Sequence, residues 1–95
     1  MKGSGMYKNK GTDGRNNICG ARVKEYRCAL PGKPSQREFA DMLQLQGLDV
    51  DKNAVQRIES GERFVTDIEL KALAEVLNVK YEDLLEWVKN HVSAR

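Results

Sequence analysis

Apolar residues recur at helical spacing from Ile18 to Val92, and no stretch alternates as a strand would. A first helix is expected to begin after Asn17 as its N-cap and to run to about Leu30. Cys19, Val23, Tyr26 and Leu30 form its inward stripe, and Pro31, Gly32 and Pro34 stop it. Ser35 and Glu38 have the capping-box spacing, in which each side chain satisfies an end amide of the other residue. They open a second helix with Phe39, Ala40, Met42 and Leu43 on its inner face, extending towards Gln46 with Gly47 as its stop. Asp51 can cap a third helix, which buries Ala54, Val55 and Ile58 and ends at Gly61. Thr66 and Glu69 repeat the capping box for a fourth, with Leu70, Leu73, Ala74 and Leu77 inward and Asn78 as a left-handed cap. A fifth, over about 81–92, would bury Leu84, Leu85 and Val88. The pattern predicts an all-α, compact five-helix domain.

Residues 1–17 break the pattern: glycine, asparagine and aspartate dominate and no apolar period survives. They read as a flexible basic tail before a folded domain at 18–95, and residues 1–5 read as a vector-derived scar. Charge divides along the same boundary. The tail carries +3, from Lys2, Lys8, Lys10 and Arg15 against Asp13, whereas residues 18–95 carry −1. The folded part is therefore no unspecific polycation, and any affinity for nucleic acid must come from where its charges sit. There is no apolar run of the roughly 18 residues needed to span a membrane, and no signal-peptide core, so a cytoplasmic chain is expected.

Little conventional active-site chemistry is available. Cys19 and Cys28 would point to opposite sides of the first helix, too far apart for a disulfide, and read as free thiols of a reducing compartment. His91 is the only histidine, so no four-ligand zinc set can form, and it reads as a surface residue. Glu82, Asp83 and Glu86 suit the solvated start of a helix. Trp87 can cover the core edge or anchor a subunit contact. With no nucleophile–base–acid set, phosphate loop or metal motif, an enzyme is not expected, nor a cofactor.

The third helix is different. Its outer face presents Lys52, Asn53, Gln56 and Arg57 without an acidic residue among them. Such side chains read base edges: Arg or Lys pairs with guanine O6 and N7, Asn or Gln with adenine N6 and N7. An ordinary solvated face would look the same in isolation. Gln36 and Arg37, beside the free amides that open the second helix, offer a grip for a phosphate, and Arg63 offers a second. Arg27 and Glu59 sit at the borders of two inward stripes, as a partly buried ion pair joining the first and third helices would.

The segments SQREFADML, KNAVQRIESGER and LKALAEVLNV together resemble the lambda-repressor-like (Cro/CI, XRE class) helix-turn-helix family over about residues 18–86. The resemblance implies that the third helix is the recognition helix of the major groove. Lys52 and Asn53 would then hold its first reading positions, with Arg57 one turn later. Gln36 matches the family glutamine that binds phosphate and braces that helix, and the Arg27–Glu59 pair also has a family counterpart. Three departures stand out. Residues 44–51 make a longer connection than the usual tight turn, which implies a longer second helix or a different tilt of the third. Ala54 stands where a small hydroxyl residue is common, and Glu62 where lysine is frequent.

The resulting expectation is a sequence-specific regulator of transcription, a repressor occupying a double-stranded DNA operator. One module buries only about 600–1,000 Å² on DNA, so a homodimer is expected there. The near-neutral domain and Glu62 keep open an alternative, an antitoxin or other protein-interaction module with a protein partner. The tail stays open too, as a leader without contacts or as an arm entering an adjacent minor groove.

Overall fold

Five helices follow one another in the computed structural model, which describes residues 14–85. They are α1 (Gly20–Ala29), α2 (Gln36–Leu45), α3 (Lys52–Ser60), α4 (Asp67–Leu77) and α5 (Tyr81–Leu84), with no strand among the described residues. The described residues are all-α, as the spacing of apolar residues predicted. The expected extension of the fifth helix to Val92, with Val88, Trp87 and His91, lies outside the described residues.

Local signals set the ends of α2, α3 and α4, whereas α1 opens behind Cys19, which makes no side-chain cap bond, and not behind Asn17 as its N-cap. Ser35 with Glu38 and Thr66 with Glu69 both close complete capping boxes, and the Asp51 carboxylate accepts from the Ala54 amide. Three helices stop in the same left-handed turn, at Gly47, Gly61 and Asn78. In each, two successive amides fold back onto the last turn, as where Gly47 donates to Gln44 and Leu48 donates to Leu43. The tolerance of glycine for positive φ is what lets the chain reverse so sharply at 47 and 61.

Val23, Phe39, Leu43, Val55, Ile58, Leu73 and Leu84 form the fully buried centre, drawn from all five helices. The face of α1 departs from the expected one. Gly20, Val23 and Arg27 point inward, while Tyr26 and Leu30 are only half-buried at the rim. A stripe counted from apolar residues alone is rotated away from the true one, because a glycine and an arginine complete it. At Gly20 the need is steric: a Cβ there would lie 2.1 Å from the carbonyl oxygen of Ile58, so α1 crosses α3 at backbone contact.

α2 stops at Leu45, with Gln46 as its C-cap, and the connection to α3 runs over residues 46–51. That connection is anchored. Val50 is buried in the core, and the Gln44 side chain donates to the Val50 carbonyl at 2.7 Å.

Candidate nucleic-acid interface

α3 has two faces of opposite character. Ala54, Val55, Ile58 and Glu59 are buried, whereas Lys52, Asn53, Gln56 and Arg57 are all exposed. A helix of nine residues is too short to hold itself in water, so tertiary fastenings must fix it.

The last turn of α3 is fixed by charge. Arg27 Nε and Nη2 donate to the two oxygens of Glu59 at 2.7 and 3.1 Å, a two-pronged pair whose residues are only 9% and 6% exposed. Arg27 Nη1 also donates to the Pro34 carbonyl at 2.9 Å, and Gln36 Nε2 donates to Glu59 Oε1 at 3.0 Å. Side chains from α1 and α2 thus meet at one carboxylate of α3. The bond to Glu59 raises the Arg27 pKa above its ordinary value against the opposing effect of burial, so the guanidinium stays charged.

The start of α3 opens on a cleft of about 460 Å³ lined by Arg37, Ala40, Asp41, Gln44, Asp51, Lys52 and Asn53. Three of the expected site residues, Arg37, Lys52 and Asn53, are therefore gathered where α2 meets the beginning of α3. Gln56 and Arg57 continue the same exposed surface along α3. Gln36 sits differently: it is half-buried and its amide turns inward to Glu59, the bracing half of its expected role. Arg63 lies past the other end of α3, off the cleft. Its Nη2 donates to Glu69 Oε2 at 2.7 Å, so a protein carboxylate already occupies the group expected to grip phosphate.

Sequence reasoning did not see several neighbours of this surface. Asp41 and Asp51 place two carboxylates in the cleft beside Arg37 and Lys52. Asn16 and Asn17, grouped by composition with the tail, hydrogen-bond to the residues that end α3. Spacing could not reveal those contacts, whose partners lie 41 to 46 positions away. Gly20 did carry a signal, since glycine inside a helix usually marks a close approach.

Among the described residues no group of His, Cys, Asp and Glu could hold a metal ion, and no helix is long and apolar enough to cross a membrane. A family model described as Helix-turn-helix, of the XRE/lambda-repressor-like class, matches residues 23–84. No curated protein and no solved structure matches the chain.

Proposed function

Because the chain belongs to the XRE/lambda-repressor-like helix-turn-helix family of DNA-binding transcription regulators, we propose that it is a repressor reading a specific operator with α3. The observation that carries this reading is the exposed quartet Lys52, Asn53, Gln56 and Arg57. None of these side chains hydrogen-bonds to another described residue, although the helix beneath them is fastened at several points. Side chains left free on a fixed helix can meet base edges without first giving up protein contacts.

In this reading Lys52 and Asn53 reach bases from the first turn, and Gln56 and Arg57 from the next. Arg37 approaches a phosphate at the rim of the cleft. Gln36 keeps α3 in register through Glu59, and its oxygen end serves the backbone contact. Operator affinity then comes from two copies of the chain on a two-fold site, in the cytoplasm, with no cofactor.

Selection of bound duplexes from a random pool tests this directly. A preferred sequence should emerge, on which Arg57→Ala and Asn53→Ala each lose ~1–3 kcal/mol while losing much less on scrambled DNA. A pool that never enriches would overturn the reading. The carboxylates of Asp41 and Asp51 beside Arg37 and Lys52 favour a second reading, a protein-interaction module such as an antitoxin. A stoichiometric protein partner whose binding survives Arg57→Ala, with no enriched duplex, would establish that one instead.

A further inference from the structure

We infer that Asn17, with Asn16 beside it, is a positioning residue for DNA reading by α3, an inference that rests on the proposed operator-binding function. Both asparagines lie outside the segment matched by the family model, which starts at residue 23. One side chain joins three separate stretches of backbone. Asn17 Oδ1 accepts from the Gly20 amide at 2.8 Å, at the start of α1. Its Nδ2 donates to the Ile58 carbonyl at 3.1 Å, inside the last turn of α3, and to the Arg63 carbonyl at 2.7 Å, in the loop beyond. Asn16 adds its own amide to the Gly61 carbonyl at 2.7 Å and its Nδ2 to the Glu62 carbonyl at 2.8 Å.

Four carbonyls at and just beyond the C-terminal end of α3 are thus taken by two neighbouring residues. Helix ends leave such carbonyls without partners inside the helix, so these bonds settle where the end sits. The loop held in this way closes on a reading residue: the amides of Glu62 and Arg63 both donate to the Arg57 carbonyl, at 2.9 and 3.1 Å. The backbone contact of Gly20 with Ile58 lies at the same crossing, which leaves α3 no room to shift towards α1.

The geometry shows why this matters for reading. A nine-residue helix is roughly 13 Å long, so a tilt of about 10° around its capped start displaces the far end by about 2 Å. Base readout tolerates only about 0.5 Å of such error. Asp51 and Gln44 secure the start, while Glu59 and the two asparagines together secure the last turn and the loop beyond it, the end nearest Arg57.

Asn17→Asp separates the roles, since it keeps an acceptor for Gly20 and removes both donors to the α3 end. In the full chain, the ratio of affinities for a selected duplex and a scrambled one should fall about tenfold, comparable to losing one base contact. Asn16→Ala, which removes only the side-chain bond to Glu62, should lower the ratio by a smaller factor. A purely structural asparagine would lower the melting temperature and leave the ratio intact in folded protein. Amide hydrogen exchange at Gly61, Glu62 and Arg63 in the free protein gives an independent readout, and it should speed up in both variants. An unchanged ratio in both variants, or equal losses on the two duplexes, overturns the inference. Should Asn17→Asp fail to fold, the ratio for Asn16→Ala decides. A wild-type chain that prefers no duplex defeats the proposed function instead, and unchanged exchange would then defeat the positioning role as well.

Discussion

The guanidinium of Arg27 and the carboxylate of Glu59, 32 positions apart in the chain, face each other through two hydrogen bonds inside the domain. Both residues are nearly excluded from solvent, so each charge depends on the other for what water would otherwise supply. Arg27→Met should therefore cost ~3–5 kcal/mol, by leaving Glu59 with only Gln36 as a partner. The double variant Arg27→Met with Glu59→Leu should recover most of that loss. Urea unfolding at unchanged slope measures both. A single variant that loses less than about 1 kcal/mol would mean that the pair is effectively solvated.

The two cysteines should behave as different chemical species. Cys28 is exposed, while Cys19 is buried and burial pushes its thiol from the ordinary 9.0 up to about 11. At neutral pH one thiol per folded chain should react with a disulfide reagent and the second only on unfolding. The folded chain keeps the Cys19 proton over a range where the unfolded chain has lost it. Stability should therefore fall as pH rises from 9.0 towards about 11, and Cys19→Ala should remove that part of the decline. Equal reactivity of both thiols in folded protein would contradict the buried position.

The helix ends were legible because capping is a local affair: Ser35 and Glu38, Thr66 and Glu69, Asp51, Gly61 and Asn78 announce themselves within four residues. The Arg27–Glu59 pair was legible as well, as opposite charges at the borders of two inward stripes. What escaped depends on residues serving two purposes or meeting far along the chain. Arg27 is both charge and core, which turns the inward face of α1 away from Tyr26. Glu69 closes its capping box with one oxygen and holds Arg63 with the other, so Arg63 looked free in sequence. Asn16 and Asn17 sit in a stretch whose composition reads as tail, and only the fold brings the end of α3 to them.

The salt dependence of DNA binding should separate the two arginines once paired as phosphate grips. Arg37 is exposed on the cleft and should contribute one ionic contact, so Arg37→Ala should lower the salt slope by about one unit on every sequence. Arg63 is held by Glu69, and Arg63→Ala should leave the slope unchanged while lowering the melting temperature. A slope reduced equally in both variants would mean that the Arg63–Glu69 bridge opens when DNA binds.

Asp51 offers the sharpest test of which way the cleft faces. Its carboxylate caps α3 by accepting from Ala54 at 2.9 Å, and in doing so it places a negative charge beside Lys52 and Asn53. Asparagine caps a helix about as well as aspartate, so Asp51→Asn removes the charge and keeps the hydrogen bond. The lost attraction between carboxylate and helix dipole should cost only about 0.3–1 kcal/mol of stability. If the cleft meets the phosphate backbone, the variant should bind preferred and scrambled duplexes more tightly by a similar factor. That gain should shrink as salt is raised, because screening weakens the repulsion being removed. Titration of both duplexes at two salt concentrations supplies the comparison. Affinities that do not move on either duplex would turn the cleft away from DNA and leave its carboxylates to a protein partner.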